Sequence, residues 1–193
     1  MRADMTLFNS KGWMPESTLS ATDVTAVDFA ALPPILRTLL VTDGTVTKTL
    51  EAYFWEPIRI EQQQQQPVRS STPMPLLEVA AGEPLWRRQV RLLGAHSGRC
   101  YALGLSFLRL DVLPEPLQQA LRAGRLGIGE LLRESTLESY RRIVSIGHVA
   151  ADHPADPGPG QWIERTYLIQ TGGRPAIQVT ELFPLALYRS LAN

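Results

Sequence analysis

The feature that most constrains this chain is a carboxylate in an apolar row. Residues Trp162 to Phe183 read as two strands closed on the turn Gly172-Gly173. In the second strand the two-residue period of a pleated strand puts Ile177, Val179, Glu181 and Phe183 on one face, with Gln178 and Thr180 on the other. An ionised carboxylate on a buried face is costly unless it is paired or takes up a proton. Glu181 therefore needs a partner, whereas Thr180 points away from it.

A matching anomaly of opposite sign lies upstream. In Trp86-Arg87-Arg88-Gln89-Val90-Arg91-Leu92, the same period places Trp86, Arg88, Val90 and Leu92 on one face and Arg87, Gln89 and Arg91 on the other. This is a half-buried strand whose inward row carries one guanidinium. Two explanations stand side by side. Arg88 and Glu181 bind each other, or end at solvated strand termini, as purely structural charges; or they serve a ligand, since functional sites also hold buried charge.

Length and charge exclude several classes. A chain of 193 residues with 44% hydrophobic composition suits a single folded unit with a sizeable core. Nineteen basic and nineteen acidic residues cancel, which leaves no electrostatic footprint for nucleic acid or an anionic membrane. The one cysteine, Cys100, cannot form an internal disulfide, and the three histidines carry no zinc spacing with it. No apolar run approaches the roughly 20 residues that span a bilayer, and no signal-peptide core precedes the fold. The expected location is the cytoplasm, with no metal and no membrane or nucleic-acid partner.

Along the chain, residues 1–27 read as a loosely held arm and 28–193 as one domain. Asp28 can cap a first turn, and Pro33-Pro34 suit the start of a helix carrying Ile35, Leu36, Leu39 and Leu40. Asp43-Gly44 breaks the chain, and Thr45 can cap a second helix with Val46, Leu50 and Tyr53 or Phe54 on one stripe. Ile58 and Ile60 open a strand that continues into the solvated run Gln62 to Gln66. Strands at about 85–93 and 99–111 form a hairpin around a polar loop holding an exposed His96. Pro114-Glu115-Pro116 starts a helix that Gly124 ends. Gly127 and Gly129 then stand at the start of a short helical run, where free N–H groups can meet an anion. Residues 138–149 read as a strand with Tyr140, Arg142, Val144 and Ile146 in one row, ending near a structural or exposed His148. Six strands joined by short loops predict an α+β fold, a six-stranded antiparallel sheet with short helices packed on one face.

The order of these landmarks resembles the chorismate pyruvate-lyase (4-hydroxybenzoate synthase) family over about Leu32 to Tyr188. The resemblance is carried by Leu-Leu-Val-Thr-Asp-Gly-Thr-Val-Thr-Lys from Leu39, Trp-Arg-Arg-Gln-Val from Trp86, Gly-Ile-Gly-Glu-Leu-Leu from Gly127, and Gly-Gly-Arg-Pro-Ala-Ile-Gln-Val-Thr-Glu-Leu-Phe from Gly172. It implies that Arg88 binds the ring carboxylate and that Glu181 meets the ring hydroxyl at the other end of one slot. It further implies that Val46, Ile128 and Gly129 line that slot, with the Ile128 N–H assisting Arg88. Val46 stands where some members carry a longer methionine, and Leu126-Gly127-Ile128 replaces a Pro-Leu pattern.

The implied reaction converts chorismate to 4-hydroxybenzoate and pyruvate without a cofactor, with substrate and product the only partners and a monomer expected. Arg88 and Glu181 are the catalytic candidates. Arginine suits bidentate grip of a carboxylate better than lysine does, and Glu181 could act as acid or base toward the hydroxyl. Arg142 and Arg165 are further candidates for the substrate's second carboxylate, although both read better as solvent-facing arginines on sheet edges. The rival reading is a non-catalytic module that binds aromatic acids, because the fold is similar to effector-binding domains of bacterial transcription regulators. A shared fold alone does not choose between them.

Overall fold

The architecture is that of a computed structural model, in which residues 27–124, 126–149 and 152–191 are described. The arm expected at residues 1–27 thus lies, apart from Val27, outside the described residues. Asp28 accepts a hydrogen bond from the Ala30 N–H at 3.0 Å and caps a 3-10 turn. Pro33 and Pro34 then begin helix α1 (Pro34–Val41), and Thr45 precedes α2 (Val46–Phe54). Proline fits there because the first N–H groups of a helix have no intrahelical acceptor to lose. Leu36, Leu39, Leu40, Val46 and Leu50 form the inward stripe of this helix pair.

Six strands follow: β1 (Ile58–Arg69), β2 (Pro84–Gly94), β3 (Cys100–Leu108), β4 (Ser139–His148), β5 (Trp162–Thr171) and β6 (Arg174–Pro184). They make one sheet in the order β1-β2-β3-β6-β5-β4, with every pairing antiparallel. Between β3 and β4 run α3 (Glu115–Ala123) and α4 (Ile128–Glu134), and α5 (Leu185–Ser190) follows β6. Gly124 ends α3 with a φ of 68°, a left-handed conformation that glycine adopts without a side-chain penalty.

The helices lie on one face of the sheet. Its centre packs α1, α2 and α5 on Leu92, Tyr101, Ile143, Ile163 and Phe183, while α3 and α4 cover Leu108, Ile169, Ile177 and Val179. Loops cover the opposite face. Leu77 and Val79 pack on Leu85 and Leu168, and Ala155 packs on Leu103, Leu105 and Leu182. That second loop is pinned by Arg87 and Gln89, which donate to the carbonyls of Pro154 and Ala155 at 2.8 Å each. Part of the glutamine run is likewise engaged rather than simply solvated. Gln64 accepts from Arg87, and Gln65 donates to the Arg122 carbonyl at 2.7 Å, tying β1 to the end of α3.

The row expected for β4 needs correction. A bulge between Ile143 and Ser145 inserts a residue and reverses the alternation. Ile143 and Ile146 therefore both join the helix-side core. Arg141 shares that face ahead of the bulge, whereas Tyr140 and Arg142 are exposed and Val144 packs on the far side.

Candidate functional site

Between the sheet and the first turns of α2 and α4 lies a cavity of about 230 Å³, the scale of a small-molecule site rather than a macromolecular groove. Its floor is the helix-side face of the central strands. Register sets the order of that floor: Val90, Gly104, Glu181 and Arg165 lie side by side across the sheet, and Arg88, Ser106, Val179 and Tyr167 form the next row. Gly104 leaves space in the first row, where a Cβ would stand 3.1 Å from the Val90 side chain.

Arg88 forms one pole. It is 3% exposed, and its Nη2 donates to the Leu126 carbonyl at 2.8 Å. Its Nε and Nη1 are buried without a partner among the described residues. Burial without a counter-ion lowers the pKa of this guanidinium from its ordinary value, so the site is short of one anion. Among the described residues no carboxylate supplies it.

Glu181 forms the other pole, and it does not pair with Arg88. Its partner is Arg165, whose Nε donates to Oε2 at 2.7 Å while Nη1 donates to the Thr42 carbonyl at 2.6 Å. Arg165 is 1% exposed, so the expectation of a solvent-facing edge arginine is wrong. β5 is an inner strand, and Ile163, Arg165, Tyr167 and Ile169 form the inward row that its own alternation dictates. Tyr167 donates to Glu181 Oε1 at 3.3 Å and lies under the Arg165 guanidinium, 5.0 Å from the ring centroid. Burial, then the Glu181 charge, raises the pKa of the Tyr167 hydroxyl, with Arg165 and Arg141 opposing. It remains a neutral donor. Glu181 is thus not alone in an apolar row; it is an ion-paired carboxylate with its orientation fixed from two sides.

Val46, Ile128 and Gly129 also line the cavity. Val46 is the first residue of α2, and Ile128 begins α4 after Gly127. The two glycines allow this approach. A Cβ at Gly127 would stand 2.8 Å from the Ile60 side chain, and one at Gly129 would stand 3.2 Å from Thr45 Oγ1. The structure thus brings all five expected residues to one cavity. Arg142 stays outside it, Arg141 and Tyr167 are lining residues that sequence reasoning missed, and Arg165, named there as a lesser candidate, is bound to Glu181. Among the described residues, no three His, Cys, Asp or Glu side chains gather as a metal-ion site. No helix among them is long and apolar enough to cross a membrane.

Comparison with known proteins adds the family. Residues 40–191 match the model of the chorismate pyruvate-lyase Rv2949c-like family. The chain belongs to that family. It is also 30% identical over 159 residues to a chorismate pyruvate-lyase of Mycobacterium leprae (strain TN), covering 80% of this chain and 76% of that protein. Among solved structures, PhnF from Mycobacterium smegmatis aligns with a TM-score of 0.56 at 12% identity, over 75% of this chain and 65% of that one. The chain thus spans just under two thirds of that protein. The separate effector domain of PhnF aligns with a TM-score of 0.52 at 12% identity, over 73% of this chain and 88% of that one. At such identities the likeness establishes a shared fold and nothing finer.

Proposed function

We propose that this chain is a chorismate lyase that releases 4-hydroxybenzoate and pyruvate. The observation that carries the reading is a buried Arg88 with unpartnered Nε and Nη1 in a small cavity that Glu181 also lines. A planar ring acid with a hydroxyl opposite its carboxylate matches both poles. Arg88 donates to the ring carboxylate from its unpartnered guanidinium N–H groups, and the N–H of Ile128, which has no intrahelical acceptor, adds a donor. Glu181 accepts from the ring hydroxyl. Val46 and Gly129 shape the walls.

The chemistry asks little beyond this. The carbon–oxygen bond from the ring to the enolpyruvyl group breaks, and its electron pair leaves with the enolpyruvate. The ring carbon bearing the hydroxyl loses its proton, and that C–H pair becomes the last double bond of the aromatic ring. The pyruvate methyl group gains one proton, so protons balance and nothing is oxidised. Aromatisation drives the step, and the protein contributes orientation and charge complementarity. Arg165 and Tyr167 support the second by holding Glu181 in place.

The test is turnover by purified protein, with 4-hydroxybenzoate and pyruvate measured together. Equimolar release of both, lost in Arg88→Met and strongly reduced in Glu181→Gln, is expected. Tight binding of 4-hydroxybenzoate without any turnover would replace the lyase by a binding module.

A further inference from the structure

Chorismate carries two carboxylates, and Arg88 accounts for one. The second hangs on the ring carbon next to the one bearing the hydroxyl, so in a slot with Arg88 at the carboxylate pole it falls on the Glu181 side. The Arg165 guanidinium on that side is already engaged by Glu181 and the Thr42 carbonyl. Lys48 is 60% exposed and bound to Glu51 at 2.7 Å, and Arg133 is exposed.

Arg141 differs from all of these. It lines the same cavity from β4, four strands away from Arg88 and roughly 19 Å from it at the Cα atoms by strand spacing. Its Nη1 donates to the Asp43 carbonyl at 2.8 Å, one residue beyond the Thr42 carbonyl that holds Arg165. Its Nε is buried and has no partner among the described residues. Gly129 keeps its far side open, where a Cβ would stand 3.6 Å from Arg141 Nη2. Arg141 is therefore fixed at one nitrogen, with a second donor buried and unused.

We propose that Arg141 binds the enolpyruvyl carboxylate and so distinguishes substrate from product. This rests on the lyase reading above. Once the ring has aromatised and enolpyruvate has left, 4-hydroxybenzoate offers Arg141 nothing, and the residue acts on the substrate complex alone.

The experiment compares wild type, Arg141→Met, Arg141→Lys and Arg142→Met by calorimetric titration with chorismate and with 4-hydroxybenzoate, alongside steady-state turnover. Loss of one charge-assisted carboxylate contact should weaken chorismate in Arg141→Met by roughly 10- to 100-fold, in KM and in Kd. The affinity for 4-hydroxybenzoate should stay within about twofold of wild type by the same reasoning. Arg141→Lys should recover part of the chorismate affinity, and Arg142→Met should change neither ligand. Equal weakening of both ligands would mean that Arg141 only holds the Asp43 loop, and unchanged chorismate affinity would remove it from the site; either overturns the proposal. If wild type binds chorismate without turning it over, the lyase reading fails while the affinity comparison still decides the role of Arg141. If it binds neither ligand, both fall.

Discussion

Replacing Arg88 by methionine should separate binding from stability in opposite directions. The side chain is 3% exposed and leaves Nε and Nη1 without partners. Exchanging a poorly compensated buried charge for an apolar side chain of similar length stabilises a fold by about 1–4 kcal/mol. Against this stands the Leu126 carbonyl, which loses the 2.8 Å bond from Nη2, at a cost of about 1 kcal/mol. The net gain is about 0–3 kcal/mol, or up to about 12 °C in melting temperature for a domain of this size. The two donors that grip a carboxylate are worth about 1.5–3 kcal/mol each, so affinity for 4-hydroxybenzoate should fall at least about 100-fold. Thermal unfolding without ligand and calorimetric titration with it measure the two effects. A variant that melts below wild type and still binds 4-hydroxybenzoate within tenfold would refute the claim that Arg88 is held uncompensated for an anion.

Removing Arg165 should have the opposite effect on stability. Arg165→Met leaves Glu181 charged and buried and should cost about 3–5 kcal/mol in denaturant unfolding, with much of the loss recovered in the Arg165→Met, Glu181→Met double variant; a loss under about 1 kcal/mol would show that the pair is not what holds Glu181. Gly104→Leu should fill the floor of the slot and abolish ring-acid binding while the far-UV spectrum stays native, because the residue faces the cavity beside Val90; retained affinity would place the ligand elsewhere. Outside the cavity lining, hydrogen bonds from the Tyr101 hydroxyl, then from Ser97 and the His96 N–H, hold the Glu56 carboxyl down to about 2. A depressed carboxyl contributes stability above its unfolded value and loses it as pH falls through the folded one. Wild type should therefore lose stability between about pH 4.5 and 2 by an increment that Glu56→Gln lacks, as read from melting temperatures across that range; parallel pH curves would count against this clamp.

The sheet was legible because each strand carries a two-residue period bounded by turn residues. The same period isolated Arg88 and Glu181 as charges in apolar rows, and both lie at the cavity. Arg165 was named but set down as an edge residue although the signal was present: Ile163, Arg165, Tyr167 and Ile169 alternate as cleanly as Ile177, Val179, Glu181 and Phe183. Reading Arg165 as an edge residue concealed it, since nothing local reveals that β5 sits between two other strands. Arg141 was hidden differently. The bulge after Ile143 shifts the register, so a strict period put Arg142, not Arg141, in one row with Ile146. A bulge of this kind is set by pairing with β5 and leaves no mark in the residues themselves. The partnership of Glu181 with Arg165 rather than Arg88 is likewise a product of strand order, which periodicity does not encode.

Arg88 and Glu181 are proposed as the two poles of one slot for a ring acid. A crystal structure of the complex with 4-hydroxybenzoate tests it directly. The carboxylate should lie against the guanidinium of Arg88, the hydroxyl within hydrogen-bond distance of Glu181, and the Arg165–Glu181 pair should stay intact. A ligand bound elsewhere, or one seated in the slot with its carboxylate away from Arg88, would contradict it.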